Sequence, residues 1–165
     1  AAMLLVFISM VALLNYLSEG IIGRYTGLND WVVSITDGKV QGFTFQFVVG
    51  MILSPFMWLI GVPFDDMMLV GSLLGQKTIL NEFVAYFQMQ QWKDAGLFMY
   101  EKSVIMSTYI LCGFANISSI GILLGGLGVL APNKQSMIIK LGIPTMIGGA
   151  LVSILSATMV GMILG

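Results

Sequence analysis

The polar stretch Gly75-Gln-Lys-Thr-Ile-Leu-Asn-Glu82 interrupts an apolar part of the chain. Charge-free runs flank it at residues 67–76 and 83–92. Each run holds about ten residues, half of the roughly 20 that a helix needs to cross about 30 Å of hydrocarbon. Backbone that enters a membrane without crossing it is tolerated only beside protein or a water-filled cavity. Two short apolar arms therefore predict a re-entrant helical hairpin, with its tip at residues 75–82.

Polar residues at the start of each arm are expected to cap its helix. Asp65 and Asp66 stand just before the first arm, where carboxylates interact favourably with a helix N-terminus. Thr78 and Asn81 are the two candidates for the cap of the second arm. With either cap, Glu82 is expected near the start of that arm.

The composition of the whole chain points to a membrane protein. Of its 165 residues, 58% are hydrophobic and 9% are charged, whereas a soluble domain carries about 25% charged residues. The net charge of −1 leaves no basic surface for a nucleic acid polymer, which excludes that partner. The chain has no histidine and one cysteine, so disulfide frameworks, zinc sites and histidine-based catalytic triads are not expected.

Two other uncharged segments, residues 103–133 and 141–165, are long enough to span a membrane. The first contains the interruption Cys112-Gly-Phe-Ala-Asn-Ile-Ser-Ser119, whose glycine, asparagine and serines weaken a helix. A broken helix that faces a hairpin tip is how many secondary transporters form a site in the middle of the membrane. Residues 131–140 are expected to be a polar linker, and its two lysines weakly favour the cytoplasmic side.

The N-terminal third gives weaker patterns. Residues 1–14 would reach about 21 Å as a helix. Without an initiator methionine or a preceding basic region, they are expected to end a longer spanning helix, which makes the chain part of a larger protein. Residues 19–39 contain several glycines and polar residues, which predicts a loop at the membrane edge. Gln41 to Ile60 contains polar side chains and Pro55, which favours a tilted or interfacial helix.

Glu82 is the strongest candidate for a functional residue. A carboxylate at membrane depth costs about 2.5 to 3.5 kcal/mol and usually faces the protein interior or a cavity. An ionised carboxylate accepts strong hydrogen bonds, and two neighbouring hydroxyls of one ligand, as on a ribose, match its two oxygens. The alternatives are a structural ion pair with Lys77 or a hairpin tip that reaches the membrane surface. Lys77 is expected to pair with Glu82 or to extend toward that surface.

The interruption around residue 116 supplies the other candidates. Asn116 offers a donor and an acceptor, and Ser118 and Ser119 add hydroxyls at consecutive positions, so that at most one serine faces a given ligand. Phe114 could stack on a flat ligand. The alternative is that these polar groups only join helices, as asparagine and serine often do in membranes.

Three functions remain open from the residues alone. One is a transporter that binds its solute between the hairpin and the broken helix. Another is an intramembrane hydrolase that uses Glu82, although the chain lacks histidine as an activating group. The third is a membrane subunit without transport activity.

Two segments resemble the concentrative nucleoside transporter family. The stretch Gly75-Gln-Lys-Thr-Ile-Leu-Asn-Glu-Phe-Val-Ala-Tyr86 is similar to the family signature G-x-K-x-x-x-N-E-F-V-A followed by an aromatic residue or methionine. The stretch Cys112-Gly-Phe-Ala-Asn-Ile-Ser-Ser-Ile120, which runs into Gly125-Gly-Leu-Gly and Ala131-Pro132, resembles it as well. The resemblance covers essentially the whole chain, as the C-terminal half of a family member.

The resemblance implies an all-α polytopic membrane protein with a re-entrant helical hairpin and a broken transmembrane helix. Such a chain would be one half of an inverted-repeat transporter. Residues 1–62 would be the end of a scaffold helix, a loop and an interfacial helix. Residues 63–165 would be half of the transport domain.

The resemblance also assigns roles to the candidate residues. Glu82 would accept hydrogen bonds from the ribose hydroxyls, Asn116 and Ser119 would hold the ribose, and Phe114 would lie against the ligand. No metal ligand and no cofactor is implied in this chain, because the residues that read the base and bind the coupling ion, sodium or a proton, belong to the N-terminal half.

The implied function is nucleoside symport rather than an enzymatic reaction. The implied partners are a nucleoside, the lipid bilayer, the N-terminal half of the transporter and the other copies of a homotrimer. The implied location is the plasma membrane, crossed several times, which in a bacterium is the inner membrane. A hairpin-containing transporter for another small polar solute and a membrane subunit without transport activity stay open as alternatives.

Overall fold

The structure is a computed structural model that describes residues 2–36, 38–40 and 42–165. The secondary structure elements of this part are all helices and include no strand, which confirms the predicted all-α class. The α-helices are α1 (Ala2–Asn15), α2 (Arg24–Thr26), α3 (Leu28–Ile35), α4 (Phe45–Leu59), α5 (Met67–Ile79), α6 (Glu82–Asp94), α7 (Glu101–Leu111), α8 (Ile117–Leu130) and α9 (Gln135–Leu164). A π-helix (Tyr16–Gly23) and two 3₁₀ turns (Phe64–Asp66 and Pro132–Lys134) complete the description.

The predicted loop at residues 19–39 is largely wrong. The helix that begins as α1 continues through the π-helix into α2, and α3 follows after one residue. Gly23 has helical dihedral angles, φ −60° and ψ −36°, so this glycine does not interrupt the helix. Gly27 does interrupt it, because its φ of +73° is a left-handed conformation that glycine adopts without strain. Asp37 lies outside the described residues.

Helix α4 begins later than the predicted start at Gln41, which lies outside the described residues. Thr44 caps it, and the Thr44 Oγ1 accepts a hydrogen bond of 3.2 Å from the Phe47 amide. Pro55 lies inside the helix, as predicted.

Small residues allow α4 and α5 to pack with their backbones in contact. A Cβ atom added at Gly50 would lie 2.5 Å from the Ser72 Cα, and one added at Gly75 would lie 2.5 Å from the Gln46 carbonyl oxygen. Gly71 meets the same surface of α4. Close approach at small residues is the usual basis of helix association in membranes.

The predicted hairpin is present, with a shorter tip. Helix α5 ends at Ile79 and α6 begins at Glu82, which leaves only Leu80 and Asn81 between the arms. Asn81 is the cap of the second arm, since its Oδ1 accepts a 2.9 Å hydrogen bond from the Val84 amide. Whether the hairpin enters the membrane from one side stays a prediction.

Asp66 has a different role from the predicted one. Its carboxylate does not cap the helix that it precedes. It is completely buried and accepts hydrogen bonds from the Met99 amide at 2.9 Å and the Tyr100 amide at 3.1 Å. Because Tyr100 is the N-cap residue of α7, Asp66 fixes the start of α7 to the start of the hairpin.

The predicted break in the segment 103–133 is confirmed. Helix α7 ends at Leu111, and α8 begins at Ile117, so the break is shorter than the interruption predicted at residues 112–119. Gly113 turns the chain with a φ of +118°, a region open mainly to glycine.

The C-terminal helix is longer than the spanning segment predicted at residues 141–165. The stretch from Pro132 to Leu164 has 33 residues and is the one helical segment of the described chain that is long and apolar enough to cross a membrane. The expected linker at 131–140 is mostly wrong, because α9 already begins at Gln135.

Two apolar clusters hold the helices around the hairpin. Helix α5 contributes to both of them and therefore lies at the centre of this part of the chain. One consists of Met57, Val62, Val70, Leu74, Met106, Ile110 and Ala157, and the other of Leu69, Leu73, Ala85, Met89, Trp92 and Leu111. Helix α9 packs along both α7 and α8. The predicted division of the chain at residue 62 stays a prediction.

Candidate functional site

Glu82 is the first residue of α6 and lies at the hairpin tip. A negative charge is favourable there, because the backbone amides and the dipole of a helix make its N-terminus positive. The side chain is half-buried. Its Oε2 accepts a hydrogen bond of 2.7 Å from the Asn116 Nδ2, so the tip of the hairpin and the break of the next helix are in direct contact.

Asn116 is the residue that organises the break. It is 1% exposed and is the N-cap of α8, where its Oδ1 accepts from the Ser119 amide at 2.7 Å. The hydroxyls of Ser118 and Ser119 also lie 2.7 Å from this oxygen. An amide oxygen has two lone pairs. The Ser119 backbone amide binds one lone pair of the Asn116 Oδ1, so the two serine hydroxyls compete for the other.

The two serines differ in their other contacts. The Ser118 hydroxyl has a second acceptor, the Leu80 carbonyl oxygen at 2.9 Å, and this contact joins α8 to the hairpin tip. Ser119 instead lines a cavity. With Ser118 bound to Leu80, the Ser119 hydroxyl can turn between Asn116 and a ligand. That at most one of the two serines faces a ligand stays a prediction.

The cavity beside the break has a volume of about 400 Å³. It lies between the break, α8 and the first half of α9, and its lining is mostly apolar. The lining residues are Gly113, Phe114, Ala115, Asn116, Ser119, Ile120, Leu123, Ile138, Leu141, Gly142, Thr145, Met146 and Gly149. A ligand site of this kind pairs apolar walls with a few placed polar groups.

The structure thus brings the four candidate residues to one place, but not all of them line the cavity. Asn116, Ser119 and Phe114 line the cavity, whereas Glu82 contacts Asn116 without being a lining residue. Phe114 lies in the break itself and is 75% exposed. Its ring is therefore available to a ligand or to another part of the protein.

Lys77 takes neither of the expected positions. It is completely buried instead of extending to a surface. Its Nζ donates a hydrogen bond of 2.8 Å to the Ile110 carbonyl oxygen rather than pairing with Glu82. The reason is geometric, because Lys77 lies on the side of α5 that packs against the end of α7.

Some residues of this region were not identified from the sequence. The Leu80 carbonyl and most of the α9 residues that line the cavity have no local sequence pattern that marks them. Thr145 was the one detectable signal, because it is a polar residue next to Pro144 within an apolar segment. Tyr86 was not identified either. Its hydroxyl donates a 2.7 Å hydrogen bond to the Thr108 carbonyl oxygen and so connects α6 to α7.

The polar groups of this site are suited to hydrogen bonding with a ligand. No group of three or more histidine, cysteine, aspartate or glutamate residues lies close enough to hold a metal ion in the described part of the chain. The site offers a carboxylate with free lone pairs, a hydroxyl and an aromatic ring beside an apolar cavity. These groups fit a neutral ligand that carries neighbouring hydroxyls.

Comparison with known proteins gives a consistent result. Residues 1–161 match the family described as "Na+ dependent nucleoside transporter C-terminus". An uncharacterized transporter of Bacillus subtilis, YutK, is 41% identical over 161 residues, which cover 98% of this chain and 36% of that protein. The nucleoside permease NupC of Helicobacter pylori is 34% identical and is matched over 37% of its length by 99% of this chain.

A mammal contains a relative as well. Sodium/nucleoside cotransporter 1 of Rattus norvegicus is 36% identical, with 99% of this chain and 25% of that protein covered. The chain spans 25% to 37% of the length of these three relatives. Their names describe transporters and not enzymes.

Solved structures show the same similarity in three dimensions. The inward-facing, substrate-bound structure of CNTnw has a TM-score of 0.74 and 35% identity, and it covers 97% of this chain and 34% of that one. Because the family profile matches nearly the whole chain and the helices superpose on a member of known structure, the chain belongs to the concentrative, Na⁺-dependent nucleoside transporter family, in which it corresponds to the C-terminal part.

Proposed function

We propose that this chain forms the ribose-binding side of a cation-coupled nucleoside symporter. The observation that carries the proposal is the 2.7 Å hydrogen bond between Glu82 and Asn116. It places a carboxylate from the hairpin tip beside the polar end of a broken helix. The names of the rat and Helicobacter pylori relatives, which specify nucleosides, support this choice of substrate.

The chemistry of the sugar explains why a carboxylate is used. The two neighbouring hydroxyls of a ribose can both donate hydrogen bonds to one ionised carboxylate. Glu82 uses only part of its acceptor capacity for Asn116, and the Ser119 hydroxyl can bind a further sugar oxygen. Phe114 would cover the ligand from the exposed side of the break.

The remaining part of the transporter would complete the site. We infer that the N-terminal half supplies the residues that read the base and bind the coupling cation, because this chain spans about a third of its bacterial relatives. Sodium is the cation in the name of the rat relative, and a proton is the alternative for this chain. The complete protein would be a homotrimer in the plasma membrane, which in a bacterium is the inner membrane.

Transport would follow from movement of the hairpin and the broken helix as one body. Secondary transporters expose a site near the middle of the membrane alternately to each side. Uptake is coupled to the cation if the nucleoside binds tightly only when the cation is present, which requires a difference in affinity between the two states. The Glu82 and Ser118 contacts across the tip support motion as one body, because they join the hairpin to α8.

The proposal is tested by Glu82→Gln in the intact transporter that contains this chain. Loss of the charged acceptor is expected to weaken nucleoside binding by about 1.5 to 3 kcal/mol, which is roughly 12- to 150-fold in Kd. Isothermal titration calorimetry measures this change. Asp94→Asn is the matched control, since Asp94 is an exposed carboxylate at the other end of the same helix, and it should bind as the wild type does.

A nucleoside affinity of Glu82→Gln equal to that of the wild type would remove Glu82 from the site. Competition experiments separate the proposed substrate from another polar solute. Nucleosides, but neither free bases nor amino acids, should compete for uptake if the ribose is the group that is recognised.

A further inference from the structure

Lys77 is a buried cation in a chain with few charges. It lies in the last turn of α5 and has no exposed surface. Lysine is almost never fully buried unless its ammonium has partners. The Lys77 Nζ lies 2.8 Å from the Ile110 carbonyl oxygen and 3.5 Å from the Ser153 Oγ. Its charge is therefore held at the point where α7 stops.

The carbonyl groups at this point need a partner. The last four carbonyls of a helix have no amide to bind within that helix, and the helix dipole makes this end negative. Ser153 of α9 supplies a donor to the residue that follows the helix, because its Oγ lies 2.6 Å from the carbonyl oxygen of the C-cap residue Cys112. Lys77 supplies the positive charge, through the Ile110 carbonyl.

The other end of α7 has the complementary arrangement. There the buried Asp66 carboxylate accepts from the Met99 and Tyr100 amides. Asp66 and Lys77 are about 17 Å apart along the hairpin arm at about 1.5 Å per residue, which equals the length of α7. The two helices thus run parallel, and one arm presents an anion to the positive end of α7 and a cation to its negative end.

The Lys77 ammonium lies at the C-terminal end of a half-helix, a kind of position where other transporters bind free cations. The unwound carbonyls and the C-terminal ends of half-helices are where secondary transporters coordinate Na⁺ or H⁺. We propose that the Lys77 ammonium is a covalently attached substitute for such an ion, which fills the cation position at this break and thereby positions Asn116 against Glu82. Lys77 is then a positioning residue, which acts on the ligand through the break.

The Lys77→Ala variant tests this role by chemical rescue. The substitution removes three methylene groups and the ammonium, and n-propylammonium supplies the same heavy atoms, three carbons and one nitrogen. Without an amine, Lys77→Ala is expected to melt at a lower temperature and to bind nucleoside about 5- to 150-fold more weakly, the usual range for coupling between separate sites. Propylammonium should raise both the melting temperature and the affinity.

Three controls make the result specific. Tetramethylammonium has the same charge without an N–H donor and should not rescue Lys77→Ala. Lys93→Ala removes an exposed lysine from the other hairpin arm. Neither propylammonium nor tetramethylammonium should change the melting temperature or the nucleoside affinity of this variant. Lys77→Met keeps a long side chain without the charge, so it should bind nucleoside weakly and should not respond to propylammonium, because the space is filled.

Two results would overturn the proposal. One is a nucleoside affinity of Lys77→Met equal to that of the wild type, which would show that the charge is not needed. The other is rescue of Lys77→Ala by tetramethylammonium to the same extent as by propylammonium. The affinity part rests on the proposed function, whereas the amine-dependent melting temperature needs no nucleoside. Failure of the wild type to bind nucleosides would thus reject the proposed function while the melting data still report on Lys77.

Discussion

At the scale of single residues, Asn116 does the most to define the site. Its amide nitrogen reaches Glu82, and its oxygen caps α8 and receives the neighbouring serine hydroxyls. The sequence predicted the candidates, because asparagine and serine in an apolar segment are conspicuous. It could not predict that Asn116 would connect them, since the contact with Glu82 crosses 34 positions of the chain.

The different surroundings of the two serines give a prediction. Ser119→Ala should weaken nucleoside binding by about 0.5 to 1.5 kcal/mol, or about two- to tenfold, because a neutral hydrogen bond to the ligand is lost. Ser118→Ala should act mainly on stability, since Ser118 binds the Leu80 carbonyl and does not line the cavity. Calorimetry and thermal melting of both variants measure the two effects. The opposite order of the two affinities would contradict the assignment of Ser119 to the ligand.

At the scale of helices, the hairpin and the break could be predicted from composition, whereas their connections could not. Short apolar arms around a polar tip indicated α5 and α6, and a glycine with polar neighbours indicated the end of α7. The contacts of Asp66 and Lys77 depend on the parallel packing of α5 against α7, which no local pattern shows. The predicted loop at residues 19–39 failed because glycine and polar residues there adopt helical conformations.

The contact between α4 and α5 gives a prediction at this scale. Gly50→Ala should lower the free energy of unfolding by about 1 to 3 kcal/mol, because its Cβ would lie 2.5 Å from the Ser72 backbone and would force the helices apart. Gly126→Ala is the matched control in α8. Its Cβ meets nothing within 4 Å, and alanine favours a helix by about 1 kcal/mol over glycine.

Thermal or denaturant unfolding in detergent measures both glycine variants. Equal stabilities of Gly50→Ala and Gly126→Ala would show that the close approach of α4 to α5 is not needed.

At the scale of the whole molecule, the described part of the chain exposes many large hydrophobic side chains. Large hydrophobic side chains are exposed along α1 and α9, including Leu5, Val6, Leu151, Val152 and Ile163. Exposed apolar patches of this extent mark surfaces for lipid or another protein segment. They fit the proposed bilayer and the proposed N-terminal half. Composition predicted this property, whereas the trimer and the inverted repeat stay predictions.

We propose above that Glu82 recognises the sugar of a nucleoside. The most direct test is calorimetric titration of the intact transporter and its Glu82→Gln variant with a ribonucleoside and with the 2′,3′-dideoxynucleoside of the same base. We expect the wild type to lose about 1.5 to 3 kcal/mol of binding free energy when the hydroxyls are removed, whereas Glu82→Gln should bind both ligands nearly equally. The contrary result is additivity, in which Glu82→Gln loses as much binding free energy as the wild type does when the ribonucleoside is replaced by the dideoxynucleoside. Such additivity would contradict contact between Glu82 and the ribose.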